Sequence, residues 1–241
     1  MKCFAIQHSM NTKIVGKIPH TKEVIHNCDV WDEPRFIDRM FFKKIEGKPI
    51  LSNAVLFPNA KLTDFIVTFG MGFSFGSMLI SDKLKKILEG FNVLGLQYFK
   101  TFLILNNVKI ENYWQTHNFK FAYEYIDFVG SEFYLKNSET RVIDYSKRLI
   151  FENSTEFEKF VNNREYPYSP IIKTIKFNTN MNLDYFTLRF FELGNGYGIV
   201  SEKLKEEIEK QGITGIEFRP IDIPLQDWLR SEEREKIYGK S

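Results

Sequence analysis

VSEKLKEEIEKQGITGIEF, residues 200–218, decides how this chain is read, because nearly the same stretch stands 120 residues earlier as ISDKLKKILEGFNVLGLQY, residues 80–98. Each copy reads as a strand end, a serine-capped helix, a turn and a strand. In the first copy Ser81 can cap a helix whose apolar positions Leu84, Ile87 and Leu88 fall at i, i+3 and i+4 and so share one face. Gly90 is placed to end that helix.

Sliding the sequence by 120 positions aligns residues 61–100 with 181–220 without a gap, and eight of the forty positions are identical. They pair Asp64 with Asp184, Gly76 with Gly196, Ser81 with Ser201, Lys83 with Lys203, Leu84 with Leu204, Lys85 with Lys205, Glu89 with Glu209 and Gly95 with Gly215. Replacements keep their physical class where packing demands it: Phe65 with Tyr185, Ile80 with Val200, Leu88 with Ile208, Tyr98 with Phe218. The copies still differ, since Glu207 stands where Ile87 does and makes the second helix more polar. Two copies are too few for a solenoid, which needs three or more. The predicted class is therefore α+β, with two related strand-helix-strand half-units packed with additional antiparallel strands into one body.

Working outward, the chain divides as a single domain over 1–241. Residues 1–50 read as an N-terminal extension with one early strand and mostly loop, since Pro19, Pro34 and Pro49 punctuate short apolar pieces. The first half-repeat covers about 51–105, opening on ILSNAVLF and DFIVTF, with GMGFSFG (70–76) as a flexible connection. Linking hairpins fill 106–165: FKFAYEYIDF and SEFYLK around a VGSE turn, then RVIDYSKRLIF as another. Thr155 and Glu158 have the spacing of a capping box for a short helix. The second half-repeat covers about 171–220, and Pro224 opens a last helix over 224–238, docked by Leu225, Trp228 and Leu229.

The 241 residues suffice for one large core or two modest ones without a disulfide or metal staple. Hydrophobic residues at 43% and charged residues at 27% are ordinary for a globular protein, while 24 Phe and 11 Tyr predict a core rich in aromatic rings. Thirty-three basic and 31 acidic residues are interspersed, so charge gives nucleic-acid binding no support. Apolar runs such as FLIL (102–105) are far too short to cross a bilayer. The start MKCFAIQHSMNTK lacks the apolar stretch of a secretory signal, and Cys3 and Cys28 lack paired-ligand spacing. A cytoplasmic, reducing location is the expectation, with no membrane partner.

Few segments suggest chemistry. His20, His26 and Cys28 lie close together, and His26 with Cys28 could offer two ligands to zinc, but the matching second half is missing and His8 or Cys3 would have to come from afar. No metal, cofactor or catalytic residue is expected. GMGFSFG and GNGYG (194–198) lack the endings and spacings of nucleotide-binding glycine loops and read as tight turns needing positive φ. The helix starts at Ser81 and Ser201 could hold an anion, although capping is the commoner use of such a serine. Asp29 with Asp32, and Glu232 with Glu233, read as solvated surface. YWQTHNF (113–119) is the segment that suits a partner surface, through Tyr113, Trp114 and His117; its competing reading is a partly buried strand edge.

The order of parts resembles the immunity proteins of bacterial polymorphic-toxin systems, in particular immunity family eleven and its relatives. The residues that carry the likeness are Val200, Ser201 and Glu202 at the helix start, and Gly215, Ile216, Glu217 and Phe218 in the strand that follows. The resemblance covers roughly residues 50–220. It implies tight binding to a cognate toxin domain rather than catalysis, and its matching positions are framework positions, so no functional residue is transferred. An enzyme with an unrecognised active site between the halves, or an adaptor module, is the alternative.

Overall fold

Ser81 and Ser201 each close a three-residue strand and open a helix in the computed structural model, which describes residues 2–73, 76–194 and 196–240. Each Oγ accepts the main-chain N–H three residues on, that of Leu84 or Leu204, at 3.2 Å. Each hydroxyl in turn donates to an aspartate, Ser81 to Asp64 at 2.6 Å and Ser201 to Asp184 at 2.8 Å. The cap supplies an acceptor to an N–H that the helix leaves unpaired. GMGFSFG and GNGYG lie partly outside the described residues, at Ser74, Phe75 and Asn195.

The chain is mixed α+β. Its first part runs β1 (Cys3–His8), α1 (Thr12–Val15), β2 (Thr21–His26), β3 (Ser52–Leu56), β4 (Phe65–Ile66), β5 (Leu79–Ser81) and α2 (Asp82–Glu89). The middle comprises β6 (Leu96–Leu105), β7 (Val108–Asn118), β8 (Glu132–Asn137), β9 (Ile143–Leu149), α3 (Ser154–Asn163) and β10 (Tyr168–Thr174). The last part holds β11 (Tyr185–Phe186), β12 (Ile199–Ser201), α4 (Glu202–Lys210), β13 (Ile216–Pro220), α5 (Leu225–Leu229) and α6 (Glu232–Tyr238). No helix among the described residues is long and apolar enough to cross a membrane.

Three sheets form, ordered β2-β3-β6-β7-β5-β4, β11-β12-β1-β13 and β10-β8-β9. In the first, Phe65 faces Ile80 and Ile66 faces Leu79; in the second, Tyr185 faces Val200 and Phe186 faces Ile199. Next in order, Ile80 faces Trp114 and Val200 faces Phe4. Then Leu96 faces Asn118, and Ile216 faces His8. Phe4, Phe65, Ile80, Leu84, Leu88, Tyr185, Val200, Leu204 and Ile208 meet in one core drawn from both stretches. Full burial of such a side chain contributes about 1.5–3 kcal/mol. Gly95 and Gly215, both at positive φ (66° and 85°), precede β6 and β13 where a side chain has no room. A Cβ on Gly215 would stand 2.7 Å from the Phe65 carbonyl oxygen, and one on Gly95 2.5 Å from the Lys120 Cβ.

Several local expectations change. Residues 1–50 are no mere extension: β1 lies between β12 and β13, and β2 pairs with β3. The partners of β1 stand in residues 199–220, at the other end of the chain, so no local pattern reveals them. FKFAYEYIDF forms no strand but a 3₁₀ turn at Tyr123–Tyr125. The hairpin forms upstream instead, between β6 and β7, on the two-residue loop Asn106-Asn107 with both φ positive; this is the turn that matches strand twist. RVIDYSKRLIF supplies one strand, β9, paired with β8. Asn153 rather than Thr155 caps α3, accepting from Glu156 N at 3.1 Å. The single C-terminal helix becomes two, because Ser231 caps α6 by accepting from Arg234 N at 3.1 Å.

The last helix is locked to β13 by a buried ion pair. Arg234 donates from Nε to Glu217 Oε2 at 2.8 Å and from Nη2 to Oε1 at 2.7 Å, and Oε1 also accepts Met10 N at 2.7 Å. Removing one partner leaves a buried charge uncompensated, which costs about 3–5 kcal/mol. Arg234→Ala should therefore lower unfolding free energy by about 3–5 kcal/mol in urea titration, whereas exposed Lys236→Ala should change it by no more than about 0.5 kcal/mol.

Candidate partner-binding surface

Strand pairing decides what the predicted partner residues can do. Tyr113, Trp114 and His117 lie on β7, which is central between β6 and β5 rather than an edge. Tyr113 is buried and donates its hydroxyl to the Thr63 carbonyl at 2.8 Å. His117 is buried and bonds through Nε2 to the Lys43 carbonyl at 2.8 Å, so Nε2 carries the hydrogen. Burial pushes its pKa down, against the opposing effect of that bond. Trp114 is half-buried: its Nε1–H donates to Asp82, and the Lys85 ammonium sits 4.5 Å from its ring centroid. All three side chains brace the frame, and they do not form a shared exposed surface.

His20 and His26 likewise have different partners, and Cys28 packs against the Phe36 cluster. His20 Nδ1 accepts Val67 N at 3.1 Å, while His26 Nδ1 bonds to Ser52 Oγ at 2.9 Å. Among the described residues no group of three or more His, Cys, Asp or Glu side chains is arranged to hold a metal. Burial, with His8 nearby, pushes His20 down from 6.5 to about 4. Above pH 6.5 the ring is neutral in both folded and unfolded chains; between 6.5 and 4 only the unfolded chain takes the proton, so stability falls as the pH is lowered through this range. His20→Asn keeps an acceptor without titrating. From pH 7.5 to 5 the natural chain should lose on the order of 1–2 kcal/mol more than this variant, measured by urea unfolding.

The exposed apolar side chains point elsewhere. α3 packs Phe157 and Val161 inward, and the Phe157 ring lies 4.9 Å from Tyr123, 5.2 Å from Phe151 and 5.6 Å from Phe133. That aromatic cluster fixes the helix against β8, so its other face and the end of β10 border an open groove of about 640 Å³. Leu135, Ile150, Phe160 and Tyr168 line it, with Glu156, Lys159, Arg164 and Glu165 among the charged residues beside them. Ile150 is 85% exposed and Tyr168 47%, with the neighbouring Tyr166 at 79%. An apolar centre within a charged rim is the anatomy of a protein interface.

This surface was hard to see in sequence, because IFENSTEF reads as a helix start and NNREYPYSP as a helix stop, and neither says which side chains remain uncovered. The available signal was the density of tyrosine around Pro167, in EYPYSP, where a turn leaves side chains outside the sheet. No protein-family model matches the chain, and no curated protein matches its sequence.

Proposed function

We propose that the chain is an immunity protein that binds a cognate toxin domain in the cytoplasm and neutralises it by occupying or distorting its active site. The groove carries this reading: Ile150 after β9, Phe160 on α3 and Tyr168 at the start of β10 present apolar and aromatic area along it. Tyrosines with apolar neighbours and a charged rim suit recognition of a folded protein.

The reading also takes the chain as two related half-units. Its support is the common register of Phe65–Ile80 with Tyr185–Val200, and of Leu96–Asn118 with Ile216–His8. Val200, Ser201, Glu202 and Gly215–Phe218, the residues of the family likeness, then belong to the frame, and recognition falls to segments in which the halves differ. The groove lies in such a segment, between the two stretches.

The test is co-expression with the C-terminal domain of a toxin encoded beside this chain, with binding followed by calorimetry. The natural chain should rescue growth and bind. Ile150→Asp combined with Tyr168→Asp should weaken binding at least about 100-fold, two hot-spot losses of about 1.4 kcal/mol or more each, with an unchanged thermal transition. Failure of the natural chain to rescue or bind would overturn the function; unaltered binding by the double variant would remove the groove from the interface.

A further inference from the structure

His20 joins the two outermost strands of the six-stranded sheet, β2 and β4, which stand at opposite ends of its order. It directly precedes β2, and Val67 directly follows β4. Three hydrogen bonds cross between them: His20 N donates to the Val67 carbonyl at 3.2 Å, Thr21 Oγ1 donates to the same carbonyl at 3.3 Å, and Val67 N donates to His20 Nδ1 at 3.1 Å. All three end on one residue. No strand ladder backs them, because β4 is Phe65–Ile66 alone and Val67 lies outside it. The chain then passes Val24 of β2 at Gly70, leaves Phe69 exposed, and is next held at Gly72, whose N–H donates to Asp38 and whose carbonyl accepts from Gln115.

The geometry of this seam has no place for a proton. An Nδ1 that accepts an N–H leaves the ring hydrogen on Nε2, and Nε2 is shielded from solvent with no hydrogen-bond partner among the described residues. An imidazolium donates from both nitrogens. Protonated in place, the fully buried ring would aim Nδ1–H at the Val67 N–H and hold two donors without acceptors, a costly arrangement. The groups around it supply no counter-charge. His8 of β1, the titratable group that acts on it, opposes a second positive charge, and behind His8 stands Glu217 of β13, already paired with Arg234. Residues 65–72 and 52–57 carry no charged side chain, and Asp64 before β4 is taken up by Ser81 and Thr214. Lys22 and Glu23 of β2 are exposed, and the Lys17 ammonium lies 5.6 Å from the Phe57 ring centroid.

We propose that His20 is an acid-sensitive latch: on taking up a proton its ring leaves Val67, and the 67–71 segment swings away from β2 while the rest of the fold stays closed. Opening uncovers the core that the sheet encloses, including Leu56, Ile66 and Phe73. The latch is independent of toxin binding, since the groove at α3 has no residue in common with the seam.

Amide hydrogen exchange of the full chain at pH 7 and pH 5, corrected for intrinsic rates, reads the opening residue by residue. With His20 at about 4 when closed and 6.5 when open, the opening constant at the His20 and Val67 amides should rise about twentyfold from pH 7 to pH 5. At both pH values these amides should open at least about tenfold more often than those of the β6–β7 hairpin, which separates a local opening from global unfolding. His20→Asn keeps an acceptor for Val67 N and should remove the pH response, whereas His8→Asn should retain it. Thr21→Val deletes one bond of the seam and should raise opening at both pH values while preserving their ratio, which keeps the test decisive if His20→Asn fails to fold. No rise at these amides, a rise that persists in His20→Asn or vanishes in His8→Asn, a ratio lost in Thr21→Val, or equal opening of the β6–β7 amides would overturn the proposal.

Discussion

Each of two aspartates holds a helix start with one oxygen and the opposite stretch of chain with the other. Asp64 Oδ1 receives the Ser81 hydroxyl, while its Oδ2 receives the Thr214 N–H at 2.9 Å and the Thr214 hydroxyl at 3.1 Å. Asp184 Oδ1 receives the Ser201 hydroxyl, and its Oδ2 receives the Asn92 N–H at 3.1 Å. Thr214 stands in the stretch that follows α4 and Asn92 in the one that follows α2. Hydrogen bonds to a charged acceptor contribute about 1.5–3 kcal/mol each, and a serine that donates to aspartate while accepting from its helix polarises both bonds. The helices, the turns before β6 and β13, and the relation of one stretch to the other all hang on these two carboxylates.

The reciprocity extends to the helices. Lys83 Nζ donates to the Gln211 carbonyl at 2.5 Å, and Lys203 Nζ lies 5.0 Å from the Phe91 ring centroid. Residues 91 and 211 are separated by the same 120 positions as 83 and 203. Exchange of partners between equivalent surfaces is the mark of a two-fold interface, here within one chain on the proposed reading of two half-units. Cap serines engaged in this way have their acceptors and donors committed to the frame, which favours capping over anion binding at both helix starts. Surfaces for recognition then lie where the chain departs from the pairing.

What sequence could reveal follows the range of each interaction. The Ser81 and Ser201 caps and the inward faces of α2 and α4 are local, and a period of 3.6 with a leading serine exposes them. Tyr113 and His117 misled because tyrosine and histidine suit an interface and a core alike. Only the pairing of β7 with two neighbours, with Tyr113 opposite Thr101 of β6 on one side and Ser81 of β5 on the other, decides the matter, and it is not written in the local pattern. Glu217 illustrates the same limit: in GIEF it alternates like a solvent-facing residue, yet Arg234 and Met10 N bury it. Ile150 is the converse, an apolar residue beside a helix cap that stays uncovered because α3 turns Phe157 and Val161 inward instead.

The third strand of each paired sheet has a different origin, and this shapes the rest of the molecule. β7 follows β6 directly through Asn106-Asn107, whereas β1 comes from residues 3–8 and pairs with β13 more than 200 residues later. Loop closure grows only logarithmically with length, about 0.6 kcal/mol per doubling, so such a pairing is tolerable at equilibrium. It encloses the segment that leaves β7 between two points fixed in the frame. Ala122 N bonds to the Thr187 carbonyl at 3.0 Å and Asp127 N to the Lys176 carbonyl at 2.9 Å, so the chain enters and leaves the three-stranded sheet beside the frame. On the proposed reading, a groove between α3 and such a sheet has little ordering left to do on binding. Binding loses affinity to every side chain and loop it must immobilise, and a surface of Ile150, Phe160 and Tyr168 set in this way would keep that loss small for the proposed partner.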